Sequence, residues 1–138
     1  MADPFDVQLA RASLDLKAMS TEVRREIRPA LRKIARPMIK DAKDNADWSS
    51  RIPGAIRLSV LKRGVSIRVS RRKAPHARAY EGIAGRKTFR HPVFGDREHW
   101  VEQKTRPFLD PAVQAHAHKI RPAMVEIIED AARRHGYK

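Results

Sequence analysis

The chain has no cysteine. That excludes disulfides and thiolate zinc sites, and it fits synthesis inside a cell. No apolar run approaches the ~20 residues that a membrane span needs, so no membrane partner is expected. The opening Met1-Ala2-Asp3-Pro4 lacks the basic-then-apolar layout of a signal peptide. No Gly-rich phosphate loop and no Gly-x-Ser-x-Gly elbow occurs; Gly82-Ile83-Ala84-Gly85 lacks the Lys-Ser/Thr that would follow such a loop. Acidic residues are scarce, 16 against 30 Lys and Arg, which leaves a formal net charge of +14. Aromatic residues make up only 6%, so where they cluster is informative.

The 138 residues suit one domain, and we expect a single unit over 1–138, with 1–19 as an N-terminal arm or strand. The basic excess is uneven. Residues 49–73 carry eight basic side chains and no acidic one. Charge of this kind bears on partners, not on fold. Arg57, Arg63, Arg68, Arg71, Arg72 and Lys73 form a candidate partner-facing patch with three readings. It contacts nucleic-acid phosphate, it is a solvated face, or it pairs with an acidic protein neighbour.

Hydrophobic spacing predicts the elements. After Ser20-Thr21-Glu22, a cap residue and an acidic first turn, Val23, Ile27, Leu31, Ile34, Met38 and Ile39 recur at helical intervals. We expect a helix from about Thr21 to about Asn45, bent or broken near Pro29 or Pro37. Ile56, Leu58 and Val60, then Val65, Ile67 and Val69, alternate with polar residues around Lys62-Arg63-Gly64, which predicts a β-hairpin with one buried face. His76 to Glu81 reads as a short helical turn ended by glycine. Thr88 to Phe94 and His99 to Lys104 read as strands. Asp110-Pro111 reads as an N-cap and first helical residue of a second long helix, running to about Arg134 and kinked at Pro122. The expected fold class is α+β: an antiparallel sheet of three or four strands packed by long N-terminal and C-terminal helices.

Three of the four Phe and one Trp fall between Phe89 and Phe108. We read most of these side chains as core that closes the sheet against the helices. His91, Phe94, Asp96, Arg97 and Glu98 are the candidate subunit or partner interface. His116 and His118 lie two apart, on different sides of a helix, so they do not read as a metal pair. Glu81, Asp96, Glu98 and Glu102 are close in sequence and read as solvated carboxylates. No catalytic, cofactor or metal residues are assigned, and no enzyme activity is expected.

Several motifs resemble one family. Gly54-x-Ile56-Arg57-x-Ser59-Val60, Ala77-x-x-Tyr80-Glu81-x-x-x-Gly85, His91-Pro92-Val93-Phe94-Gly95, Trp100-Val101-x-Gln103 and Pro107-Phe108-Leu109-x-Pro111-Ala112 resemble segments of the head–tail joining proteins of long-tailed bacteriophages. These are also described as tail-completion, neck or tail-terminator-like proteins. The similarity covers about residues 50–115. Pro53 departs from the family's usual threonine, and the net charge is higher than the family leads one to expect. The resemblance implies a non-catalytic virion protein with no cofactor, made in the bacterial host cytoplasm. It implies a ring of copies, a hexamer or dodecamer, between head-connector and tail-tube proteins, with DNA in the channel as a further contact. The runner-up function is a basic nucleic-acid-binding protein.

Overall fold

The computed structural model describes residues 7–11, 16, 18–61, 64–82, 86–93 and 96–136, without the side chains of Leu61, Pro92, Val93 and Arg97. The order is β1 (Val7–Arg11), α1 (Thr21–Asn45), α2 (Ile52–Ala55), β2 (Ile56–Leu61), β3 (Gly64–Val69), α3 (Ala77–Glu81), β4 (Thr88–Val93), β5 (Asp96–Lys104) and α4 (Leu109–Arg134). It is an α+β fold: α1 and α4 pack against a three-stranded antiparallel sheet, and β4 and β5 make a separate two-stranded one.

Helix α1 starts where its sequence predicts, with Ser20 Oγ accepting from the Val23 amide at 3.3 Å. Its buried row is Val23, Ile27, Leu31, Ala35, Met38 and Ala42, one stripe at intervals of three and four. Neither long helix breaks at its prolines. Pro29, Pro37 and Pro122 all sit on exposed positions, and so do Arg25, Lys33 and His118 one turn earlier. The carbonyls left without a donor therefore face water, which can satisfy them.

Helix α4 departs from its predicted start. It begins at Leu109 with Phe108 as N-cap, and the cap is not Asp110. The capping group comes from α3. Glu81 Oε2 accepts from the amides of Phe108 at 2.8 Å and Leu109 at 3.0 Å, and its Oε1 accepts from Asp110 at 2.6 Å. The fourth residue, Pro111, has no N–H. All four orphan positions of the first turn are thus accounted for, and a carboxylate lies at the positive end of the helix dipole. Asn45 Nδ2 donates to the Phe108 carbonyl at 3.1 Å, which ties the end of α1 to the same corner.

The predicted hairpin is β2–β3, in the register Ile56↔Val69, Leu58↔Ile67 and Val60↔Val65. Val65 and Ile67 are fully buried, Ile56 and Val69 nearly so, and Leu58 and Val60 pack against the core in part. The third strand is β1, not one of the two later strands. It pairs along β3 with a bulge at Leu9, between Gln8↔Ser66 and Ala10↔Val65. The extra residue lets Leu9 and Ala10, neighbours in sequence, both become buried. It also brings the Ala10 carbonyl over Gly64, where a Cβ would collide with backbone. Glycine is required there by close approach, since the obstacle cannot rotate away.

A projecting hairpin and a basic sheet face

Strands β4 and β5 pair with each other and with no strand of the larger sheet. The register runs Thr88↔Lys104, Phe89↔Gln103, Arg90↔Glu102, His91↔Val101, Pro92↔Trp100, then jumps to Val93↔Asp96. Residues 97–99 therefore stand opposite nothing. Pro92, at the jump, has no N–H to give the ladder. Asp96 closes the bulge: its Oδ1 accepts from the Glu98 amide at 3.0 Å, and its Oδ2 meets His99 Nδ1. These contacts hold the Asp96 carboxyl below its ordinary range, through His99 first and the Glu98 amide second. A carboxyl depressed in the fold stabilises the bulge above its unfolded pKa, and the contribution is lost as pH falls through the folded value.

The base of this ribbon is joined to the body by rings. Trp48, after α1, tilts against Tyr80 of α3 with centroids 4.6 Å apart; Tyr80 meets Phe89 of β4 edge-on at 5.0 Å, and Phe89 meets His91 at 5.8 Å. Such pairs add to plain area burial. The Arg106 guanidinium lies 4.8 Å from the Trp48 ring centre, while its amide donates to the Tyr80 carbonyl at 2.7 Å. Beyond the base the ribbon has little cover. Trp100 is 51% exposed and Val101 41%.

This corrects the reading of residues 89–108 as core. Phe108 is fully buried, and Phe89 belongs to the ring cluster, but Trp100 and Val101 face solvent. Among the described strands, β4 and β5 pair with each other and not with the main sheet, so the outer part of the ribbon lies away from the layer that α1 and α4 cover. Of the candidate interface residues, His91 lies half-buried in β4, and Asp96, Arg97 and Glu98 lie in or beside the bulge. Phe94 and the Arg97 side chain fall outside the described set. Trp100 was missed as an interface candidate because its alternation in the strand looks like a core position.

The basic patch divides. Arg57 and Arg68 stand directly opposite each other on β2 and β3, on the face turned away from the apolar residues. Residues 71–73 form an exposed turn after β3, beside the same end of the strand pair. That turn is held by the Ala74 amide donating to the Ser70 carbonyl at 3.0 Å and by the Ser70 amide donating to Ala55 O at 2.9 Å. Arg57 is exposed and Arg68 half-buried. Among the described residues, Arg57, Arg72 and Lys73 make no ion pair. Arg63 lies outside the described residues. A cleft of about 630 Å³ at the hairpin base is lined by Arg86, Lys87 and Arg90 together with Glu102, and by none of the patch residues.

The carboxylates near in sequence do not converge. Glu81 caps α4 and is not merely solvated, Asp96 closes the bulge, and Glu102 accepts from Thr88 Oγ1 at 2.8 Å. Histidines pair singly with acids: His116 with Asp41, and His135 with Glu26 at 2.8 Å. His135 and then Arg134 hold Glu26 below its ordinary range. Among the described residues, no three His, Asp or Glu side chains are grouped to hold a metal ion, and no helix is long and apolar enough to cross a membrane.

Comparison with protein-family models, with curated proteins and with solved structures finds no match.

Proposed function

We propose that this chain is a non-catalytic structural subunit of the bacteriophage head–tail junction, working as a ring of copies in the neck or at the tail end. The observation that carries the reading is the hairpin. Of the three stretches that most closely resemble the neck family, the one from Pro107 to Ala112 starts α4, while His91 to Val93 and Trp100 to Gln103 lie in the ribbon with Trp100 and Val101 exposed. A two-stranded ribbon is marginal alone, and exposed Trp is a common anchor of protein interfaces. Repeating one such arm around a closed ring joins each copy to the next by heterologous contacts. The acidic deficit supports assembly on an acidic neighbouring ring, because copies of charge +14 repel one another in solution.

Particle assembly without the gene product is the test: heads and tails should accumulate unjoined. Trp100→Ala should leave stability within about 1 kcal/mol, as exposed positions usually do, yet reduce joining. Normal infectious particles without the product would overturn the reading, and full joining by Trp100→Ala would remove the hairpin from it.

A second reading, nucleic-acid binding, is favoured by the facing pair Arg57 and Arg68 with the turn at 71–73. Affinity for duplex DNA should then fall with salt at a log–log slope of about −0.9 per phosphate neutralised. Changing Arg71, Arg72 and Lys73 to Ser should flatten that slope by up to about three units. Salt-insensitive retention, or no effect of the triple change, would reject it.

A further inference from the structure

Among the described residues, carboxylates of α1 meet Arg or His side chains from the α4 end of the chain at two places along the seam between α1 and α4. At one end Glu26 of α1 meets Arg134 and His135 at the end of α4. At the other, Asp41 of α1 meets His116 of α4. The two helices are thus antiparallel. The bridges are fifteen residues apart on α1, about 22 Å at the helical rise. Between them lies a trough of about 620 Å³ whose floor is Ala30, Ile34, Pro37, Ile120 and Ile127. Ile34 and Ile127 are only partly buried against the core, and Pro37 is exposed. Two cations stand on the rims, Lys33 on α1 and Lys119 on α4. Both are exposed, and neither makes an ion pair among the described residues.

We infer that this trough is a docking site for an acidic amphipathic helix of another protein. A groove between two packed helices accepts a third by ridges into grooves, and its lining, from Ala30 to Pro37 on α1 and from His116 to Ile127 on α4, runs about 10–16 Å, two to three turns. The apolar floor takes the residues at i, i+3 or i+4 and i+7 of the incoming helix. The lysines on opposite rims select carboxylates flanking that stripe. A second copy of this chain is a poor occupant, because the whole chain is +14 and its copies repel one another. Nucleic acid gains nothing from an apolar floor. The inference stands without the neck assignment. If that assignment holds, the helix belongs to an adjoining ring.

The test uses the full chain and a fluorescent helical peptide of about 15 residues, with a leucine stripe flanked by glutamates, and its twin with lysines in their place. The glutamate peptide should bind saturably and more weakly as salt rises, and the lysine twin should not bind. The double variant Lys33→Glu and Lys119→Glu, at exposed positions and checked for an unchanged circular dichroism spectrum, should lose about tenfold in affinity for the glutamate peptide. It should gain affinity for the lysine twin. No saturable binding, equal binding of the two peptides, or indifference to the double change would overturn the inference. So would a dimer of the purified chain that Ile34→Glu dissociates, because the occupant would then be a second copy. Particle joining is not read here, so failure of this test and failure of the neck reading are told apart.

Discussion

Replacing Ile67 with Asp should leave the protein largely unfolded at room temperature. Ile67 is fully buried in the central strand, with Val7 and Leu58 as its register partners on either side. The substitution removes an aliphatic side chain, worth about 2–5 kcal/mol when truncated in a core. It also puts a carboxylate where no donor waits, and an unpaired polar group adds several kcal/mol more. Domains of this size are stable by only about 5–15 kcal/mol. The control is Arg57→Asp, on the outward face of the neighbouring strand and opposite Arg68, which should not destabilise the fold. Urea unfolding followed by circular dichroism reads both. A parent-like midpoint for Ile67→Asp would refute the register, because a slip of one residue moves the whole apolar set to the other face.

Replacing Glu81 with Ala should cost about 3 kcal/mol. Losing an ordinary N-cap side chain costs about 0.5–2 kcal/mol. Here one carboxylate serves three amides, those of Phe108, Leu109 and Asp110, and bonds to a charged acceptor are stronger than neutral ones. Phe108 and Leu109 are buried, so water cannot readily replace the lost acceptor. Glu81→Gln, which keeps an oxygen but loses the charge, should fall between the parent and Ala. Hydrogen exchange gives the specific signature: amides 108–110 should exchange faster in Glu81→Ala, out of proportion to the rest of α4. A loss of about 0.5 kcal/mol or less in the Ala variant, typical of an unremarkable surface site, would mean that the bonds are not formed in solution.

These two changes mark the boundary of what could be read in advance. Ile67 was legible because its evidence is local. Period-two alternation on both sides of Lys62-Arg63-Gly64 fixes which face is apolar, and the short connection fixes the partner. The bounds of α1 were legible for the same reason: a cap serine, an acidic first turn and an unbroken apolar stripe outweigh Pro29 and Pro37, whose cost is small where water meets the freed carbonyls. Glu81 was not legible. It lies 27 residues before the first amide it caps, and Asp110-Pro111 offers a local capping pattern that the tertiary acceptor displaces.

The candidate sites divide along the same line. The acid-free run at 49–73 and the aromatic-rich run at 89–108 follow from residue types alone. Whether an aromatic is buried depends on which strands neighbour it. Here β4 and β5 pair with each other and not with the main sheet, which leaves Trp100 exposed. The trough between α1 and α4 is likewise invisible in either helix alone, since each apolar stripe reads as fully core-facing. The sequence by itself determined the α+β class, the two long helices, the β2–β3 register and the basic bias, because each follows from spacing or composition within a few turns of chain. Only the tertiary structure decided the third strand, the cap of α4, the exposure of Trp100 and the depth of the helix seam. Each of those depends on groups far apart in sequence meeting in one geometry.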